Sequence, residues 1–296
     1  MEPPGRHLTL TALCRRIGSS ARKGCRYLTA DLRQLPDFVI LGTARGGTSS
    51  LYRWLITHPD VSPASKKELH FFDVNYGRGM RWYRAQFPLR RRGKITGEAT
   101  PYMLFHPLAP ERAARDLPVE TKFIVLLREP TQRAISHYWF WRQWFKESLE
   151  PSSTETLEEA IEREPARMAS AAPRVLQGER SLEHEWFSYA SRGAYAEQLQ
   201  RWFDAVGRDR VLVLESEKLY TDPTTSERVL EWLGLAPNEK PYPVVNGAAR
   251  LEEASPELVD RLDRHFDPLN RELFDLLGFE LWSETGQSES PGAGTP

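Results

Sequence analysis

The residues with most chemistry in this chain sit in three short stretches. Arg45 lies inside a glycine-rich run, Gly42-Thr43-Ala44-Arg45-Gly46-Gly47-Thr48-Ser49. Arg128 opens Arg128-Glu129-Pro130, and Ser136 follows shortly after. Glu68 and His70 stand in Lys67-Glu68-Leu69-His70-Phe71-Phe72-Asp73. Glycines let a backbone curl close to an anion, and the first N–H groups of a following helix point at it. A guanidinium with a nearby hydroxyl, Arg128 with Ser136, offers a second phosphate site. Glu68 can take a proton from an attacking group. His70 is the rival base, since an unperturbed imidazole titrates near neutrality. Two phosphate sites describe a nucleotide phosphorylated at separate positions, and Glu68 taken alone reads as a surface carboxylate in a charged turn or as a held base.

These residues need a scaffold, and the pattern around them supplies one. Phe38 to Leu41 is a short apolar run of buried-strand type, and Leu51, Trp54 and Leu55 recur at helical spacing. The stretch therefore reads strand, glycine turn, helix. Further strands are predicted near Val61, over Lys94 to Thr100, over Lys122 to Leu127 and over Arg210 to Glu215. Helices are predicted over Gly193 to Trp202, Ser226 to Leu233 and Pro256 to Leu277, with Gly278 as terminator. Apolar strands separated by helices imply an α/β fold, a P-loop-like parallel sheet of about five strands in a single domain. Ligands in such sheets sit at the carboxyl ends of strands, where Arg45 and Arg128 fall.

The loop is not an ordinary nucleotide loop. A Walker sequence ends in Gly-Lys-Ser/Thr, with the hydroxyl on magnesium. Here Thr48 stands where that Lys belongs, and the strand before Arg128 carries no Walker Asp. A plain strand–helix turn with an incidental Arg45 is the alternative for this loop taken alone.

The 296 residues suffice for one large domain. Net charge is -1, which gives no global field for nucleic acid. No apolar run approaches the roughly 20 residues of a membrane span. The two cysteines, Cys14 and Cys25, exclude a disulfide framework and suit a reducing compartment. No metal site is expected from the histidine and cysteine spacings. Residues 1–35 read as a basic arm, solvated or loosely docked, with an amphipathic helix on an anionic membrane surface as the other reading. Residues 36–282 read as the folded domain, with 139–189 a helical insertion or lid. Residues 283–296 read as a disordered tail.

Taken in their order, these motifs resemble sulfotransferases that use 3′-phosphoadenosine 5′-phosphosulfate (PAPS), above all heparan sulfate sulfotransferases and their bacterial relatives. The resemblance spans roughly Phe38 to Leu281 and includes Gly97-Glu98-Ala99-Thr100-Pro101 and Arg192-Gly193-Ala194-Tyr195. It implies that Thr43 to Ser49 bind the 5′-phosphosulfate and that Arg128 and Ser136 bind the 3′-phosphate. It further implies that Glu68 is the catalytic base, with Arg45 and His70 beside it. Gly247 and Arg250 would close a late cofactor loop. Three features depart from the family pattern: Arg45 replaces the usual Lys, Ala99 replaces a Lys near the acceptor, and 241–250 lacks the Lys-Gly-Arg core and cysteines. Arg keeps the charge but is a broader donor.

The expected function is sulfuryl transfer from PAPS to a hydroxyl or amine of a glycan, glycolipid or small-molecule acceptor, in the cytoplasm. A Mg-ATP kinase and a non-catalytic nucleotide- or glycan-binding module are the alternatives. Missing Walker residues weigh against the first, and Glu68 against the second. Three readings stay open for side chains near the base. Asp73 reads as an acceptor contact or a helix N-cap. His70 reads as base or orienting group. The aromatics from Trp139 to Phe145 read as lid packing or a stacking surface.

Overall fold

A computed structural model describes residues 24–147, 155–243 and 254–282, without the side chains of 145–147. The predicted strands form β1 (Phe38–Gly42), β2 (Val61–Pro63), β3 (Ile95–Ala99), β4 (Lys122–Leu127) and β5 (Val211–Glu215). They make one parallel sheet in the order β2-β3-β1-β4-β5. Alternation along the strands sends side chains to opposite faces. Val39, Leu41, Phe123, Val125 and Leu127 pack into one core with Phe71, Tyr83 and Trp202. Phe38, Ile40, Ile124 and Leu126 pack into another with Leu51, Leu55 and Val229. Both faces are thus covered by apolar side chains, as the near-continuous hydrophobic strands require.

The helix after β1 is α1 (Thr48–Leu55). Leu51 and Leu55 are fully buried, each contributing roughly 1.5–3 kcal/mol. Then come α2 (Gly79–Arg84), α3 (Ala109–Asp116) and α4 (Pro130–Glu147). Two more, α5 (Leu157–Leu176) and α6 (Leu182–Trp186), fall in the segment expected to be an insertion. The remaining helices are α7 (Tyr195–Val206), α8 (Lys218–Thr221), α9 (Pro223–Leu233) and α10 (Pro256–Leu277). α10 ends at Gly278 in the left-handed conformation, as the glycine predicted.

Trp139 to Trp144 continue α4 without a break, so the aromatic run extends the helix that carries Ser136. α5 begins with a capping box, Thr156 with Glu159. The buried Glu164 of α5 accepts from the Ala190 and Ser191 N–H groups at 2.7 Å each. This pair of bonds fixes the turn leading to Arg192. At the other end of the chain, Arg26 and Arg33 bond the carbonyls of Ala85 and Phe87. Residues 24–35 of the basic segment therefore lie against the domain. No helix among the described residues is long and apolar enough to cross a membrane.

The sheet order explains where a ligand must go. The chain leaves β1 towards β2 on one side, and leaves β4 towards β5 on the other. Adjacent strands whose connections diverge open a crevice at their carboxyl ends. Arg45 follows β1 and Arg128 follows β4.

Candidate active site

The glycine loop between β1 and α1 is shaped by close backbone approach. A Cβ on Gly46 would lie 2.8 Å from the Leu126 carbonyl, and Gly47 has φ +80 with the Tyr220 hydroxyl 2.8 Å from any Cβ. Only glycine fits both places. The Thr43 N–H bonds the Leu126 carbonyl at 2.7 Å, and Ser216 Oγ bonds the Gly46 carbonyl at 2.8 Å. The loop is thus tied to β4 and to the segment after β5. Thr43 is buried beneath it. Ala44, Arg45, Thr48 and Ser49 face a cavity of about 390 Å³ that Lys67, Glu68 and His70 also line.

Arg45, Arg128 and Ser136 meet, as their sequence positions predicted. Arg45 Nε donates to Ser136 Oγ at 3.1 Å, and an Arg128 N–H donates to the Arg45 carbonyl at 3.3 Å. Burial, and then the neighbouring Arg128 charge, hold Arg45 below its ordinary value. The Arg45 guanidinium lies 4.8 Å over the Phe140 ring. Arg128 is buried, and its Nε has no hydrogen-bond partner, although the Glu217 carboxylate stands 3.4 Å away. A buried guanidinium whose Nε lacks a hydrogen bond, beside a loop closed to a Cβ at Gly46, fits a phosphate-bearing nucleotide. The N-terminus of α4 is not available for that purpose. Glu129 accepts from the Thr131 and Gln132 N–H groups at 2.8 and 2.7 Å and closes it. What the end of β4 leaves open near this turn is the side chains of Arg128 and Ser136.

Arg128→Ala is expected to weaken binding of adenosine 3′,5′-bisphosphate and spare 5′-AMP. A charge-assisted hydrogen bond is worth roughly 1.5–3 kcal/mol, so the loss should be about tenfold or more. Ser136→Ala should follow the same selectivity with a smaller loss. Calorimetry with the two nucleotides checks this, and equal losses for both would contradict it.

Glu68 and His70 stand on a constrained turn. Arg45, Glu68 and His70 adopt positive φ values of 71, 59 and 52. Such a conformation costs a non-glycine residue about 1–3 kcal/mol and persists only where neighbours impose it. Here the end of β3 does so. The Glu68 N–H donates to the Ala99 carbonyl at 3.0 Å, and the His70 N–H reaches Thr100 Oγ1 at 3.4 Å. Leu69 is fully buried between them, and Phe71 stacks on Tyr83 at 4.4 Å.

Asp73 directly precedes no helix, and its carboxylate turns inward. Its side chain is fully buried, and His70 Nδ1 lies 3.0 Å from Oδ2. Burial alone would lower His70, but the hydrogen bond and charge of Asp73, with Glu68, raise it to about 10. His70 is therefore charged at neutral pH and cannot accept a proton there. Glu68 pairs with Lys67 and stands 3.8 Å from His70 Nε2. The His70 hydrogen bond outweighs burial, and Lys67 adds to it, so Glu68 falls to about 2. Of the two candidate bases, Glu68 is the one that is unprotonated.

Glu98 lies beneath this turn, fully buried, accepting from the Tyr83 hydroxyl and from Thr100 Oγ1 at 2.8 Å. Burial, partly offset by those two bonds, raises it from 4.5 to about 7. The folded chain then keeps a proton that the unfolded chain releases between these values. This group's contribution to stability must fall as pH rises through that window. Glu98→Gln is expected to flatten the thermal stability profile between pH 4.5 and 7. Thermal denaturation across that range checks it; an unchanged slope would contradict it.

Gly247 and Arg250 lie outside the described residues. Ala99, at the place of an acceptor Lys, points into the core and not the cavity. Some lining residues escaped the sequence reading: Glu185 and Trp186 on α6, and His137 on α4. Glu185 and Trp186 come from the segment read as an insertion, whose course over the site has no local signal. Glu217, beside Arg128, was equally silent, one acidic residue among many.

A family model described as "Sulfotransferase domain" matches residues 35–246. The chain is 34% identical over 207 residues to mouse heparan sulfate glucosamine 3-O-sulfotransferase 3B1, covering 70% of this chain and 48% of that protein. It is 30% identical over 271 residues to mouse heparan sulfate glucosamine 3-O-sulfotransferase 6, covering 83% and 73%. The chain spans about half the length of the first of these relatives. A sulfotransferase structure from Alicyclobacillus acidocaldarius superposes with a TM-score of 0.66 at 27% identity, covering 84% of this chain and 98% of that one. With a family match over most of its length, and a fold that superposes on a sulfotransferase structure, this chain belongs to the sulfotransferase domain family.

Proposed function

We propose that this protein transfers a sulfuryl group from PAPS to a hydroxyl of a glycan-type acceptor. One observation carries the reading: the Glu68 carboxylate shares a cavity with Arg45, which is joined directly to Ser136 and Arg128. Acid–base group and phosphate contacts are thus within one crevice. The resemblance of the relatives, whose names specify glucosamine 3-O-sulfation, supports a sugar hydroxyl as acceptor.

PAPS would supply an activated sulfuryl group on a 5′-phosphate. The loop N–H groups and Arg45 would hold that phosphate and stabilise the charge left on it. Arg128 and Ser136 would hold the 3′-phosphate. Glu68 would take the proton of the acceptor hydroxyl as its oxygen bonds to sulfur and the bond from sulfur to the phosphate oxygen breaks. Bisphosphate nucleotide leaves with the electron pair of that bond. His70, kept charged by Asp73, would orient Glu68. Lys67 would leave Glu68 for the incoming sulfuryl oxygens, which would restore basicity to the carboxylate.

The test is single-turnover transfer from radiolabelled PAPS to pooled glycans. Label moving to sugar hydroxyls, with release of adenosine 3′,5′-bisphosphate, is expected. Magnesium-dependent transfer of phosphate from ATP would instead favour the kinase reading.

A further inference from the structure

Arg128 has a neighbour of the wrong sign for a phosphate site. Glu217 Oε1 stands 3.4 Å from Arg128 Nε. The two charges attract, but they make no hydrogen bond: Arg128 Nε and Glu217 Oε2 are both buried and without a partner. Buried polar atoms are ordinarily satisfied, and a half-satisfied ion pair is a poor device for stability alone. The exception is explained if a third group joins the pair.

The backbone under Glu217 is fixed. The Ser216 N–H donates to the Leu127 carbonyl at 2.7 Å, and Ser216 Oγ donates to the Gly46 carbonyl at 2.8 Å. One residue on, the Glu217 carbonyl accepts from the Tyr220 and Thr221 N–H groups of α8 at 3.0 and 3.2 Å. The segment between β5 and α8 is thus stitched to β4 and to the glycine loop, and it presents Glu217 to Arg128. Neighbouring charges are engaged elsewhere. Lys218 pairs with Glu215 at 3.1 Å, and Glu129 accepts from the Thr131 and Gln132 N–H groups. Arg128 has other anchors than Glu217. Its Nη1 donates to the Arg45 carbonyl, and its own carbonyl accepts from the Tyr195 hydroxyl at 2.8 Å.

Resting on the proposed sulfuryl transfer, with the 3′-phosphate on Arg128, we infer that Glu217 is a counter-ion that competes with this phosphate for Arg128 and so tempers the affinity for donor and product alike. Without a hydrogen bond in the pair, little is lost when a phosphate oxygen takes the place at Nε. Although Oε2 is buried, the Glu217 side chain as a whole is 43% exposed, so a displaced carboxylate can turn to water. A fully buried acid would have no such exit. Burial also raises Glu217 above its ordinary value, which eases its neutralisation beside a phosphate. PAPS and adenosine 3′,5′-bisphosphate share the 3′-phosphate, so a tighter grip on it favours the donor and slows release of the product together. A carboxylate beside Arg128 loosens both. 5′-AMP has a hydroxyl at that position and meets no such repulsion.

Calorimetry with adenosine 3′,5′-bisphosphate and with 5′-AMP, on the wild-type chain, Glu217→Gln and Glu217→Ala, tests this. Both substitutions are expected to tighten binding of the bisphosphate about tenfold, the scale of one like charge removed from a partly screened site. Both should leave the affinity for 5′-AMP as it was. Gln keeps the shape of the side chain and an acceptor for Arg128, and Ala removes both. Bisphosphate binding weakened by Ala and spared by Gln would make Glu217 a holder of Arg128 and overturn the inference. Unchanged or weaker bisphosphate binding in both variants would overturn it too. So would an equal gain for both nucleotides, the mark of a general field and not of a group at the 3′ position. Gln is nearly isosteric at a half-exposed position, so its result decides the matter if the Ala variant does not fold. Failure of the wild-type chain to bind the bisphosphate would instead remove the proposed function, and this inference with it.

Discussion

Glu68→Gln lowers the single-turnover rate by about 10²–10⁴-fold, the range that positioned general bases contribute, and leaves nucleotide affinity nearly intact. Gln keeps the size of the side chain and can still bond His70. It cannot take the proton of the attacking hydroxyl. The matched control is His70→Gln, which should be impaired less, because His70 already holds a proton at neutral pH. The pH–rate profile separates the two roles. With Glu68 as base, held near 2 in the free protein, the rate shows no limb near 6.5, the ordinary imidazole value. With His70 as base, the order of the two variants reverses, and a limb must follow the imidazole. Near wild-type turnover in Glu68→Gln would remove this residue from the chemistry.

The second large effect concerns Arg45. Arg45→Ala should cost about 10²–10³-fold in turnover, the scale for losing one donor aimed at developing charge. Arg45→Lys should recover part of it. The recovery cannot be complete, because a Lys offers a point charge where Arg45 bonds Ser136 and covers Phe140. The split between KM and kcat is informative. Loss of kcat with little change in KM means that Arg45 acts on the transition state; loss in KM alone means uniform binding. A turnover unaffected by either variant would contradict its role at the 5′-phosphate side.

Much of this arrangement was legible before any coordinates. The strand runs were apolar on both faces, which only a covered parallel sheet accommodates, and all five predicted strands pair in it. The glycines of residues 42–47 announced a backbone that must pass close to other groups, and Gly46 and Gly47 do so. Arg45, Arg128 and Ser136 converge because strand ends in such a sheet converge. What was not legible depends on contacts distant in sequence. Asp73 gave no sign that it would turn inward to His70, a pairing that favours Glu68 over His70 in the proposed role of base. Glu98 read only as part of a motif. Its burial under Tyr83 makes it a support of the turn that carries Glu68. Trp141 of α4 stacks on Trp186 of α6, and the meeting of these helices has no local sequence signal.

The central claim is a nucleotide site built for two separated phosphates, and titration calorimetry with adenosine 3′,5′-bisphosphate and ATP, each with magnesium and with EDTA, tests it most directly. The account predicts that the bisphosphate binds far more tightly than ATP and that EDTA leaves its affinity unchanged. Magnesium-dependent ATP binding of equal or greater strength would contradict it.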